Sequence, residues 1–137
     1  MTDTRDAELD IYVKAALGRK ARNPVLLDVR HLTSLADAFL ICHGTSNRQV
    51  SAIAEHIQRD LKKQGIKALS VDGLKEGHWV LMDYGHVVIH VFYESTRHFY
   101  DLEGLWSDAR RIRTESMQAA VDYPDDDGDV DEAVFIE

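Results

Sequence analysis

"FLICHGTSNRQVSAIAEHI", residues 39–57, is the most informative segment of the chain. An apolar run meets Gly44, and helical periodicity begins directly after it. Strand, glycine turn and helix is also how phosphate-binding loops are built. Such a loop needs Lys followed by Ser or Thr, and a Rossmann turn needs three glycines at fixed spacing. Here a single glycine is followed by Thr45, Ser46, Asn47, Arg48 and Gln49, so neither pattern is met. The stretch reads as a strand-to-helix corner, with Thr45 or Ser46 accepting bonds from the first free helical N–H groups. The helix is expected over residues 46–64. Val50, Ile53, Ala54, Ile57 and Leu61 form one apolar stripe, while Arg59, Lys62 and Lys63 lie off it, and Gly65 is placed to stop the run.

Working outward, residues 6–21 read as a helix carrying Leu9, Tyr12, Val13, Ala16 and Leu17 at helical spacing, ended by Asn23-Pro24. Residues 25–29 ("VLLDV"), 38–43 ("AFLICH") and 67–71 ("KALSV") read as strands. "HWVLMD" and "HVVIHVFY", on either side of Tyr84-Gly85, suggest a hairpin. Residues 95–113 read as irregular, then helical or extended. This order predicts one α/β domain, a mixed sheet packed with helices.

With Tyr84-Gly85 as the turn, Asp83 faces His86, Met82 faces Val87, Leu81 faces Val88, Val80 faces Ile89 and Trp79 faces His90. Alternation then puts Val80, Met82, Val87, Ile89 and Val91 on one face of the sheet, and Trp79, Leu81, Val88, His90 and Phe92 on the other. Both faces are apolar. Either a helix covers each, as α/β sheets usually arrange, or one is a docking surface.

The net charge of −8 is unevenly spread. Residues 114–137 hold nine acids and no Lys or Arg, leaving 15 acids against 16 bases in residues 1–113. The expectation is a folded body over residues 1–113 and an acidic, flexible tail over 114–137. The tail's last residues, "AVFIE", are apolar and could dock. A near-neutral body without an aromatic-interleaved basic patch does not predict sequence-specific nucleic-acid binding. No apolar run approaches the ~20 residues that span a bilayer. With one cysteine, no signal-like apolar block and no internal disulfide, a cytoplasmic setting is expected.

Catalytic and metal chemistry find little support. Cys42 and His43, adjacent in a strand, point to opposite faces and are poorly placed to share a proton. His86 and His90 share a face but lie about 13 Å apart along a strand, too far for one zinc ion. "DDDGDVDE" in the tail misses the spacing of a calcium loop. Asp101, Glu103 and Asp108 lie among arginines and read as solvated ion pairs. No cofactor or metal is expected.

Three blocks, "LDVRHLTSLADAFLICHGTSNRQVSAIAEHI", "GLKEGHWVLMDYGHVVIHVF" and "RHFYDLEGLWSDA", occur in the order of one known family. Together they resemble the ribosomal silencing factor family, also called Iojap-related, over roughly residues 8–109. The chain departs from the family's commoner residues at Ala38, Cys42-His43 and His86. The resemblance implies a nucleotidyltransferase-like fold and a homodimer when free. It implies docking on the large ribosomal subunit through ribosomal protein L-fourteen, which blocks subunit joining and represses translation under nutrient limitation. By residue-wise carry-over, the partner-binding set comprises Trp79, Leu81, Met82, Asp83, Tyr84 and His90, then Arg97, Tyr100, Leu102 and Trp106. Trp79 and Leu81 would be apolar anchors, since aromatic anchors dominate such interfaces, and Tyr84, Arg97 and Tyr100 polar edges. The alternative, a nucleotidyltransferase-like enzyme, needs Gly-Ser followed by Asp-x-Asp to hold magnesium. Asp-x-Asp occurs only in the tail. A non-enzymatic regulator is therefore expected.

Overall fold

The computed structural model describes residues 4–122. In chain order the elements are α1 (Thr4–Leu17), β1 (Arg22–Asp28), β2 (Ala38–Gly44), α2 (Asn47–Lys63), β3 (Ser70–Asp72), β4 (Trp79–Asp83), β5 (Val87–Tyr93), α3 (Glu94–Tyr100), α4 (Leu102–Leu105), β6 (Arg110–Ile112) and α5 (Glu115–Asp122). The strands form one mixed sheet in the order β3-β4-β5-β2-β1-β6. The central pair, β2 and β5, is parallel and the other neighbours are antiparallel. A parallel pair needs a crossover, and α2 lies in the connection that supplies it. The central strands are nearly continuous apolar runs because both of their faces meet other side chains. Both edge strands are only three residues long, which limits the open backbone they present.

The corner at Gly44 is built from local chemistry. Ser46 caps α2, its Oγ accepting the Gln49 N–H at 3.0 Å. The Gln49 side chain turns back, its Oε1 accepting from the Thr45 N–H and Oγ1. A Cβ at Gly44 would sit 3.1 Å from the Val50 nitrogen and 3.2 Å from Gln49 Oε1, so glycine lets the first turn fold over the strand end. At the other end Gly65 takes φ +83°; its N–H bonds Lys62 O and the Ile66 N–H bonds Leu61 O. That pair of bonds closes the helix on its last carbonyls. The five predicted stripe residues, Val50, Ile53, Ala54, Ile57 and Leu61, are all buried. Each contributes ~1.5–3 kcal/mol when large and fully buried, less for the alanine.

Four expectations shift. The hairpin turn is Gly85-His86: Tyr84 N–H donates to Val87 O at 2.9 Å, and Trp79 pairs with Phe92, Leu81 with His90 and Met82 with Ile89. Gly85, at φ +91°, takes the first loop position, where a tight hairpin demands positive φ. The register moves by two residues, so every side chain keeps its predicted face. The first helix stops at Leu17, and β1 starts at Arg22, taking in Pro24 at an irregularity between Arg22 and Val25 where Asn23 has φ 49°. Proline is tolerated in strands at such sites. The third strand is shorter and later than expected, Ser70–Asp72. Residues beyond the expected body boundary at 113 form α5: Met117 enters the core, and Ser116 N–H and Oγ bond the Asp10 carboxylate at 3.1 and 2.6 Å. The rest of the expected tail, including "AVFIE", lies outside the described residues.

Candidate functional site

Alternation along β1, β2, β4 and β5 sorts the sheet into two unlike faces. One carries Val80, Met82, Val87, Ile89, Val91 and Cys42, packed with the stripes of α1 and α2 in the larger core. The other carries Leu27, Phe39, Ile41 and Phe92, with Trp79, Val88, Leu102 and Trp106 half-buried against them. Among the described residues, the short α3 and α4, the segment after them, and Val29 and Ala36 of the β1–β2 connection pack on this second face. Leu81, on the same face as its cross-strand partner His90, is also half-buried.

An aromatic series runs across this open face. Phe99 meets Tyr100 edge-on at 5.1 Å between ring centroids, and Tyr100 lies 4.9 Å from Trp79. Trp79 is 4.9 Å from Phe92 and 6.0 Å from His90. His90 meets Phe39 at 5.5 Å, and Phe39 meets Trp106 at 5.1 Å, both edge-on. Such tilted and edge-on pairs suit the ring quadrupoles. The outer end is open to solvent: Phe99 is 81% exposed, Leu105 75% and Tyr100 50%.

His90 fixes the orientation of Trp79. The indole Nε1–H donates to His90 Nδ1 at 3.1 Å, which requires the ring to be neutral there. Burial pushes the His90 pKa down to about 4, so the acceptor is present at neutral pH. His90 Nε2 is buried without a hydrogen-bond partner among the described residues.

Arg97 holds α3 and α4 to the sheet. It is buried; its Nε and Nη2 converge on Glu103 Oε2, at 2.8 and 2.5 Å, and its Nη1 meets His43 Nδ1 at 2.8 Å. Nη1 also donates to Arg22 O at 3.4 Å. Burial, and then the Arg97 charge, lower the His43 pKa, which keeps its ring an acceptor. Between the helices Asp101 adopts φ 46°, and its Oδ1 accepts the Gly104 N–H at 3.1 Å, capping α4.

The structure thus brings Trp79, Leu81, His90, Tyr100, Leu102 and Trp106 together. It separates Met82 and Tyr84 from them. Met82 is fully buried under α1 and α2, and Tyr84 packs against Tyr12 at 5.7 Å with burial pushing its phenol to about 12. Neither meets the surface expected of a partner-binding residue, because alternation sends them to the sealed face. Asp83 is occupied locally, its Oδ1 accepting the Gly85 N–H at 2.8 Å in the hairpin turn. Arg97 braces the face from beneath instead of forming a polar edge. Phe39, Phe99 and Leu105 were absent from the expected set. Phe39 was findable from strand alternation, whereas the exposure of Phe99 and Leu105 depends on short helices with no clear periodicity.

Cys42 lies in the core with its thiol pushed up to about 12 by burial, while His43 is on the other face against Arg97. Among the described residues no cluster of His, Cys, Asp or Glu is placed to hold a metal, and no helix is long and apolar enough to cross a membrane. A recess of about 790 Å³ between the start of α2 and α3 is lined by Thr45, Ser46, His78 and Phe99 among others, with no Lys or Arg in its lining.

The sequence profile described as "Ribosomal silencing factor during starvation" matches residues 2–133. The chain belongs to the ribosomal silencing factor family. A ribosomal silencing factor of Halalkalibacterium halodurans is 40% identical over 109 residues, covering 80% of this chain and 93% of the relative. A crystal structure of a Chromobacterium violaceum protein superposes with a TM-score of 0.71 at 35% identity, covering 77% of this chain and 88% of that one. A more distant mouse relative, 28% identical over 103 residues, covering 73% of this chain and 45% of its own length, is named mitochondrial assembly of ribosomal large subunit protein 1. Family membership makes ribosome-linked regulation of translation the setting in which the open face is to be read.

Proposed function

We propose that this ribosomal silencing factor binds the large ribosomal subunit through ribosomal protein L-fourteen. Occupying that position blocks joining of the small subunit and represses translation when nutrients are limiting. The observation that carries the reading is the half-open aromatic face around Trp79, continued by Phe99, Tyr100 and Leu105. Exposed contiguous apolar surface of this kind marks protein interaction sites, and aromatic anchors supply much of the affinity in them. The name of the mouse relative supports a large-subunit partner. When free, the protein pairs as a homodimer through apolar surface of this type.

The action is steric, not catalytic. An enzyme of the nucleotidyltransferase kind would need carboxylates to clamp magnesium beside the recess at the start of α2. Thr45, Ser46 and Asn47 stand there, with neither an acidic pair nor a cation lining the recess. Calorimetry with magnesium and ATP should show no nucleotide-dependent heat; a saturable signal would favour the enzyme.

Co-sedimentation with isolated large subunits tests the docking. The protein should pellet with large subunits, and preloaded large subunits should form fewer joined ribosomes when small subunits are added. Pelleting equally well with joined ribosomes would overturn the steric reading.

A further inference from the structure

The opposite flank of the sheet carries a second feature that ribosome docking does not use. β6 pairs with β1 only from Leu26 to Asp28, and the chain then leaves the sheet for α5. The outer edge of β1 from Arg22 to Val25 is therefore left without a β6 partner. A groove of about 300 Å³ lies beside it, lined by Pro24, Val25, Ile112 and Met117 together with Arg111 and Arg113. Its floor is apolar, and both arginines are exposed.

We propose that this groove is the docking site for the chain's own C-terminal segment, with Val134, Phe135 and Ile136 seated on the apolar floor and the acids before them facing the arginines. Three observations converge on that occupant. The first is position. Met117 and Ala120 of α5 line the groove, and α5 ends at Asp122. At ~1.5 Å rise per residue the following segment starts within about 10 Å of the groove. Residues 123–132 can span ~33–36 Å when extended, enough to turn back and deliver residues 134–136.

The second is charge. Residues 123–137 contain seven acids and no Lys or Arg. Arg111 and Arg113 line the groove and are exposed. Unlike charges tethered this closely attract each other at high effective concentration. The third is pattern. The apolar cluster in the acidic stretch, Ala133-Val134-Phe135-Ile136, matches a groove that sets Pro24, Val25, Ile112 and Met117 beside two arginines. Docking it beside the unpaired β1 edge would also cover backbone that otherwise invites pairing with another chain.

A spin-label experiment on the full chain tests this. Cys42 is buried, so an Ala133→Cys variant carries a nitroxide at residue 133 alone. The amide signals of Val25, Arg111, Ile112 and Ala120 should lose at least half their intensity. Those of Ser70, Val71 and Asp72, five strand spacings or about 24 Å across the sheet, should lose far less. Phe135→Ser, and separately the pair Arg111→Glu and Arg113→Glu, should abolish the localised loss while leaving the other signals in place. Uniform attenuation, or a pattern centred on the aromatic face, would overturn the proposal. So would an equal loss in a mixture of labelled chains with isotope-enriched unlabelled chains, because the occupant would then be a second copy. This outcome is independent of ribosome binding and does not share its failure.

Discussion

The two faces of this sheet are made by alternate residues of the same strands, yet one is sealed and the other is half open. Met82 and Leu81 are neighbours in the chain; Met82 is fully buried beneath α1 and α2, whereas Leu81 stays half-buried on the aromatic side. The sealed face has two helices of 14 and 17 residues to cover it. The open face has α3 and α4, of seven and four residues, held by the single buried arginine Arg97. Short helices are marginal without tertiary anchors. The sealed face holds most of the buried core, the open face is the one proposed to bind, and Arg97 braces the short helices between them.

The largest effect should come from the brace. Arg97→Ala leaves Glu103 without its partner and frees α3 and α4, and should cost about 3–5 kcal/mol in denaturant unfolding. It should also weaken docking by disordering the support of Tyr100 and Trp106. A stability loss under about 1 kcal/mol would show that the short helices hold without it. On the sealed face, Ile57→Ala should cost ~2–5 kcal/mol. Assayed at a temperature where it remains folded, it should bind large subunits as the native chain does. Reduced binding by this fully folded variant would break the division between faces.

Much of this division was legible in the sequence. The α2 stripe and its glycine stop are strong local signals, and alternation sorted Trp79, Leu81, Val88, His90 and Phe92 onto one face. The sorting survived an error in the hairpin register because the slip was two residues, an even number. Met82 and Tyr84 share a contiguous motif with Trp79 and Leu81 but lie on the sealed face, since strands send every second side chain away. The burial of Arg97 could not be read, since it depends on Glu103, His43 and the Arg22 carbonyl meeting in space. Strand β6 and helix α5 were also hidden: three residues of "RRI" carry no period, and α5 owes its place to Met117 and to the Asp10–Ser116 bonds.

pH offers a smaller effect that probes the open face alone. The His90 pKa is about 4 in the folded protein, below the ~6.5 of an unfolded histidine. Between those values the unfolded chain binds more protons, so stability is full above about pH 6.5 and falls as pH drops toward 4. His90 should contribute a slope of up to roughly 1 kcal/mol per pH unit in that window. His90→Gln should flatten that part of the profile, and an unchanged slope would show that burial of this imidazole is not what drives it. At the solvent-facing end of the aromatic series, Phe99→Ser should change stability by less than about 0.5 kcal/mol. It should nonetheless weaken pelleting with large subunits; a variant that binds normally would place the docking boundary inside Tyr100.

Trp79 touches Phe92, His90 and Tyr100 and sits where the half-buried aromatic series turns outward. The most direct measurement is co-sedimentation of Trp79→Ala with isolated large subunits across a concentration series, beside a thermal melt of the free protein. A cooperative melt and at least a tenfold weaker association are expected, the loss of an anchor worth more than ~1.4 kcal/mol. A folded Trp79→Ala chain that binds large subunits as tightly as the native protein would contradict docking through this face.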